Sequence, residues 1–288
     1  MTLEIGILFA IVSMLSWGTA DFFAKKVIDK IGCTTTLVFN LSASLGPILV
    51  FAVLFSKIPP ITIGLVSITV VAGVLGIIGY IFLYRGFQKG KVSVVSPISA
   101  SWAVITTLLA IFLFKEELTL LQIIGIIVIF VGVFLTSTNL AELKKSIKHV
   151  RYNGIMDGII SMIAWGIAYA VIKPVVSTAG PIMALFLLRA VGTLSLFSWV
   201  GFSGKKISRP TKLVFLFLII VSALDTFGFA AYNVGITTEF VSIVSPVAAT
   251  YPAVTILLAY LFLKERVVNN QKIGVVAILA GLALISIV

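Results

Sequence analysis

The chain has 288 residues, of which 60% are hydrophobic and only 11% are charged, and its mean hydropathy is +1.22. This composition excludes a soluble globular protein, which needs more polar surface, and predicts a membrane protein. The net charge of +11 comes from short basic clusters at the ends of apolar runs, which is typical of topology signals and does not favour nucleic-acid binding. One cysteine, Cys33, and one histidine, His149, exclude an internal disulfide and a Cys/His metal cage.

Ten apolar runs follow one another along the chain, and a helix needs roughly 20 such residues to cross about 30 Å of hydrocarbon. We number these predicted spans one to ten: 4–24, 34–56, 61–84, 93–114, 119–138, 154–172, 181–201, 212–235, 241–263 and 270–288. The fourth and ninth are near-copies, because 12 of 25 aligned positions are identical between Val92–Glu116 and Val241–Glu265. The chain is therefore two versions of one unit, which we divide into a first repeat (1–139), a basic linker (140–153) and a second repeat (154–288).

The first span of each repeat carries a tryptophan, a polar residue four positions later and a lysine eight positions later. This spacing places all three on one helical face: Trp17, Asp21 and Lys25 in the first repeat, and Trp165, Tyr169 and Lys173 in the second. A carboxylate inside a span is costly unless it is paired, and Lys25 lies one turn from Asp21. Snorkelling to the lipid headgroups also explains the lysines.

In the third span Tyr80 and Tyr84 share a face, where they would line a cavity or lie in the interfacial aromatic belt. Pro97 in the fourth span and Pro246 in the ninth occupy matching positions. Each proline frees a carbonyl one turn earlier, which is tolerated at membrane depth only in a protein interior or beside a water-filled cavity. We predict both prolines as hinges, with first-turn prolines capped by Ser96 and Ser245 as the alternative.

The second repeat contains two charges near the middle of spans seven and eight, Arg189 and Asp225. Consecutive spans run antiparallel, so the two residues lie at a similar depth and are predicted to form a buried ion pair. Their first-repeat counterparts are near Leu41 and Gly76, so the pair breaks the internal symmetry. An ionisable residue inside a span is a functional-site hypothesis by default, and a structural pair that only fixes helix register is the alternative.

Lysine and arginine divide unevenly between the connections. Seventeen lie in connections 1–2, 3–4, 5–6, 7–8 and 9–10, and three, Lys57, Lys115 and Lys173, lie in the others. By the positive-inside rule the first group is cytoplasmic and both termini are outside. Because each repeat has five spans, its two copies are inserted upside down relative to each other. We predict an all-α polytopic membrane protein whose ten transmembrane helices form two inverted five-helix repeats.

These features resemble the drug/metabolite transporter superfamily, and within it the EamA-type family, over essentially the whole chain. The resemblance rests on the two five-span halves, the WG…K element (Trp17, Gly18 and Lys25; Trp165, Gly166 and Lys173) and the closing E…Q..G element (Glu116, Gln122 and Gly125; Glu265, Gln271 and Gly274). It implies an inverted-repeat transporter of small organic solutes, with a central cavity lined mainly by spans one, three, four, six, eight and nine. Members resemble exporters of amino acids or related metabolites. The resemblance also implies cytoplasmic termini, opposite to the charge bias.

We therefore predict a secondary transporter of small organic solutes, amino acids or related metabolites and drugs, which works by alternating access in the plasma membrane. A passive channel and a membrane-embedded enzyme are the alternatives, but neither a ring of charge nor a convergent set of catalytic groups is evident. No cofactor, metal or nucleic acid is expected. Proton coupling through Asp225, solute exchange, and a monomeric or homodimeric state all stay open. The predicted cavity residues are Trp17, Asp21, Tyr80, Ser99, Trp102, Trp165, Tyr169, Arg189, Asp225, Tyr232 and Tyr251.

Overall fold

The computed structural model describes residues 2–90, 92–137, 154–263 and 268–286, and within them the chain is helical with no strand. The helices are α1 (Thr2–Ile31), α2 (Cys33–Phe55), α3 (Ile63–Lys89), α4 (Val92–Ala100), α5 (Trp102–Phe114), α6 (Leu120–Ser137), α7 (Ile155–Val171), α8 (Lys173–Ala179), α9 (Pro181–Ser203), α10 (Lys212–Thr238), α11 (Val241–Ala248), α12 (Tyr251–Leu263) and α13 (Asn269–Ser286). Within these residues, seven helical segments are long and apolar enough to cross a membrane, and three further apolar helices are shorter. The basic linker, 140–153, lies outside the described residues.

Three of the ten spans are each built from two helices. Span four is α4 followed by α5, span six is α7 followed by α8, and span nine is α11 followed by α12. The breaks in spans four and nine lie at Ser101 and at 249–250, three or four residues beyond Pro97 and Pro246. Pro246 is the sixth residue of α11, so the alternative that it starts a helix is wrong. The carbonyl of Ser242 freed by this proline accepts a hydrogen bond from Thr107 Oγ1 at 3.5 Å.

The two repeats use the same local devices at the same positions. Thr62 caps α3 by accepting a hydrogen bond from the Leu65 backbone N–H at 3.1 Å, and Thr211 caps α10 in the same way. Gly32 and Gly180 join the first and second spans of their repeats with φ values of 79° and 81°. This left-handed backbone favours glycine, because a β-carbon is disfavoured there. The same glycine turn at positions 148 residues apart confirms that the two halves of the chain are copies of one structural unit.

The repeats interlock, because the first span of each packs along the third span of the other. Helix α1 packs against α10, and α7 packs against α3. Spans two and seven also pair, as α2 against α9. A cavity bordered by these helices is therefore bordered by both repeats.

Spans five and ten pack on each other as an antiparallel pair, α6 against α13. A β-carbon on Gly125 would press on Gly281 and Ile285, and one on Gly132 would press on Gly274 and Ile278. Gly125 corresponds to Gly274 and Gly132 to Gly281 in the repeat, so each glycine meets the counterpart of the other. This crossing is what two inverted copies generate, and small residues permit the close approach in lipid.

Candidate functional site

The centre of the molecule is a cluster of aromatic rings around Trp17. Its ring lies 5.3 to 6.4 Å from five others, measured between centroids: Trp102, Tyr169, Phe229, Tyr232 and Tyr251. Trp102 stacks on Tyr169 at 4.2 Å. The rings come from α1, α5, α7, α10 and α12, so both repeats supply them. Each such pair contributes about 0.5–1.5 kcal/mol beyond its buried area.

A cavity lies against this cluster. Its lining consists of Trp17, Ala20, Asp21, Tyr80, Tyr84, Trp102, Trp165, Tyr169, Asp225 and Tyr251. Its volume, counted as the space open to the centres of water molecules, is about 20 Å³, which is room for about one water. An organic solute therefore needs the rings to move apart before it binds.

Arg189 and Asp225 form an ion pair between α9 and α10, with Arg189 Nη2 2.8 Å from Asp225 Oδ2. The other carboxylate oxygen, Oδ1, accepts a hydrogen bond from the Tyr80 hydroxyl at 2.5 Å. Both charged side chains are buried, at 4% and 7% exposure, and the guanidinium also lies 5.4 Å from the centre of the Phe229 ring. Three elements therefore hold one charge-neutral network beside the cavity.

The two tryptophans of the WG elements sit in equivalent grooves but differ in hydrogen bonding. Trp165 packs over Gly79, and its Nε1 donates to the carbonyl of Gly76 at 3.0 Å. Trp17 packs over Gly228, the counterpart of Gly79, but its buried Nε1 has no hydrogen-bond partner among the described residues. The first repeat thus supplies a partner for one indole N–H, while the other is buried against α10 without one in the described part of the chain.

The glycines that follow these tryptophans are crossing points between the repeats. Thr106 Oγ1 donates to the carbonyl of Gly166 at 2.9 Å, and its counterpart Thr255 donates to the carbonyl of Gly18 at 2.9 Å. A β-carbon on either glycine would overlap the facing helix. The WG element is therefore a close helix contact that sets the tryptophan ring beside the cavity.

Glu116, in the connection before α6, reaches across to the second repeat. Its Oε1 accepts from Lys173 Nζ at 2.8 Å and from the Val241 backbone N–H at 3.1 Å, and its Oε2 accepts from the backbone N–H and the hydroxyl of Ser242 at 2.9 and 2.6 Å. Burial raises the pKa of this carboxyl, but these hydrogen bonds outweigh it, so the pKa lies below the ordinary value. Glu116 therefore caps α11 as an anion.

Eight of the eleven predicted cavity residues line the cavity, and the other three lie beside it: Ser99, Arg189 and Tyr232. Ser99 Oγ lies 2.8 Å from Ser161 Oγ, and the Tyr232 hydroxyl lies 2.8 Å from Ser245 Oγ. The prediction that Lys25 pairs with Asp21 is wrong, because Lys25 Nζ donates instead to Asp29 at 2.6 Å and to the Phe87 carbonyl at 3.2 Å. The snorkelling interpretation does not hold for Lys173, which binds Glu116.

Three contributors were not among the eleven predicted cavity residues. Ala20 and Tyr84 line the cavity, and Glu116 fixes the start of span nine. Gln122, assigned only to a family element, forms a capping box with Thr119 through bonds of 2.9 and 3.3 Å. Glutamate and lysine stand at matching positions in both repeats, and this recurrence is the sequence pattern that could have indicated the Glu116–Lys173 pair. The counterpart Glu265 lies outside the described residues.

The chain is similar to a known protein family, to two relatives in sequence and to a solved structure in fold. The model of the EamA-like transporter family matches residues 4–138 and 153–287. The uncharacterized protein MJ1333.1 of Methanocaldococcus jannaschii is 33% identical over 137 residues, which is 47% of this chain and 98% of that protein. The uncharacterized transporter YxxF of Bacillus subtilis is 24% identical over 229 residues, covering 75% of this chain and 68% of that one. A crystal structure at 14% identity superposes with a TM-score of 0.73 over 98% of this chain and 96% of the other, a likeness in fold.

Proposed function

Because the chain belongs to the EamA-like transporter family, we propose that it is a secondary transporter that carries small organic solutes across the plasma membrane by alternating access. The substrates would be amino acids, related metabolites or drugs. The observation that supports this most directly is the aromatic cavity between the inverted repeats. Inverted-repeat transporters bind their substrate near the midplane at the repeat interface, and the rings around Trp17 come from both repeats.

The cavity also favours a moving carrier over a passive pore. Its space of about 20 Å³ holds about one water, so it is no continuous path in this conformation. The interrupted spans four and nine border the same region and meet through the Thr107–Ser242 bond. A rocking movement of one repeat against the other would separate these helices and open the cavity.

We expect saturable uptake of at least one solute class by proteoliposomes that contain the purified chain, measured with a panel of labelled amino acids and amines. Trp17→Phe removes the indole N–H and reduces the contact area with five neighbouring rings. We expect it to lower the uptake rate about tenfold, which is about 1.4 kcal/mol and within the value of one or two aromatic pairs. The matched control is Trp199→Phe in α9, whose ring contacts Lys205 and does not line the cavity. Uptake that rises linearly for every solute would contradict the proposal.

The orientation in the membrane has its own test, based on the charge bias. With Cys33 replaced by alanine, a single cysteine at Lys206 is expected to be shielded from an impermeant thiol reagent in intact cells, and one at Lys57 is expected to react. Both positions are exposed, so access through the membrane decides the result. The reverse pattern would place the termini in the cytoplasm, as the family resemblance implies, and would leave the inverted repeat unchanged. Lys145, the other informative site, lies outside the described residues.

A further inference from the structure

Asp21 is a carboxylate at the cavity that no side chain of the described chain neutralises. It lies one turn after Trp17 on α1 and lines the cavity with it. Lys25, the nearest cation on the same helix, is bound to Asp29 and to the Phe87 carbonyl. Among the described residues, Asp21 forms no hydrogen bond or ion pair.

The charges at the cavity therefore do not balance. Arg189 and Asp225 neutralise each other at 2.8 Å, and Tyr80 donates a neutral hydroxyl to the same carboxylate. An ionised Asp21 leaves one negative charge in a low-dielectric site, where an unpaired charge is costly. An ionised Asp21 therefore needs a positive charge that the described side chains do not supply.

The rest of the lining suits an organic cation. Trp17, Trp102 and Tyr169 present aromatic rings around the position that Asp21 borders, and the face of an aromatic ring attracts an ammonium group, most strongly when both are desolvated.

We propose that this cavity binds a small organic monocation, an amine or ammonium compound, with its charge on Asp21. The proposal rests on the proposed transport function and narrows its substrate class. A zwitterion fits less well, because its carboxylate would find Arg189 already paired with Asp225. An anion would leave two negative charges together.

Tryptophan fluorescence of the full chain in detergent tests this proposal, because three of the four tryptophans line the cavity. Three probes share one shape and differ in charge: choline is a cation, glycine betaine a zwitterion and 3,3-dimethylbutan-1-ol neutral. Choline is expected to change the fluorescence saturably, at a half-saturating concentration about tenfold or more below those of the other two. Asp21→Asn should abolish this preference, and Asp21→Glu should retain it. Glu117→Gln, which removes an exposed carboxylate, is the matched control.

Equal responses to the three probes, a preference for betaine, or no response to choline up to about 10 mM would overturn the proposal. So would an unchanged preference in folded Asp21→Asn, and the comparison within the unaltered chain decides the charge class even where that variant fails to fold. Saturable uptake of a neutral or anionic solute without a choline preference would overturn the monocation site and leave the transporter standing. Choline-selective quenching without saturable transport of any solute would do the reverse.

Discussion

Arg189→Leu and Asp225→Leu are each expected to lower the yield of folded protein sharply, and the double substitution is expected to recover part of it. Each single change leaves one uncompensated charge in the interior, where breaking a buried pair costs about 3–5 kcal/mol. The total stability of a protein is only about 5–15 kcal/mol, so either loss is a large fraction. Apolar replacement of a whole buried pair is often neutral or stabilising. The measurement is the monodisperse fraction after detergent extraction, with the melting temperature of that fraction.

Tyr80→Phe is the matched variant for this network. It keeps the ring beside Trp165 and removes only the hydroxyl that donates to Asp225, so we expect a smaller loss of about 1.5–3 kcal/mol, the value of a hydrogen bond to a charged group.

Transport should stay impaired in the double Leu variant if the pair is functional, and survive if it is structural. Losses of folded protein that simply add in the double variant would contradict the pairing.

Glu116→Ala is expected to destabilise the protein by about 2–4 kcal/mol and to impair transport. The change leaves Lys173 and the Val241 and Ser242 N–H groups without their acceptor, and hydrogen bonds to charged groups contribute about 1.5–3 kcal/mol each, less where water replaces them. Thermal unfolding in detergent measures the loss. Glu117→Ala is the control, because it removes the neighbouring carboxylate, which is exposed. An equal loss in both variants would contradict the capping role.

The contribution of Glu116 should also depend on pH in one direction. Its pKa is lowered in the folded chain, so folding favours the anion, and the stabilisation is present above the unfolded pKa of about 4.3. It is lost as the pH falls through the folded pKa below that value. The difference in stability between the unaltered chain and Glu116→Gln should therefore be constant near neutrality and shrink in that acidic range.

Much of the architecture could be predicted from the sequence, because it repeats and because a bilayer restricts the options. The near-copies Val92–Glu116 and Val241–Glu265 identified the two units, and the five-span count required their inversion. The depth of Arg189 and Asp225 within their spans predicted the ion pair that the structure contains. These inferences need only span order and position along a helix.

The parts that could not be predicted depend on contacts between the repeats. The partner of Trp165 Nε1 is a backbone carbonyl 89 residues away, and Glu116 caps a helix 126 residues away. Nothing in local spacing specifies such pairs. Local spacing also misled the interpretation of Asp21. The i+4 rule indicated Lys25, on the same helix, as its partner, but Lys25 binds Asp29, which lies one turn further along.

The single Arg189–Asp225 pair shows that the two repeats have diverged in sequence. In an assembly of two identical half-length chains every residue occurs twice, so an arginine and an aspartate at these positions would place four charges at the centre. The positions corresponding to Asp225 and Arg189 in the first repeat are Gly76 and the neighbourhood of Leu41. One copy can change alone only after the coding sequence of a single unit has been duplicated, and the relative MJ1333.1 has about the length of one copy. The two repeats therefore came to differ at these positions after the duplication, whereas the crossing of α6 and α13 is made from the same glycines in both copies and would also hold two single units together.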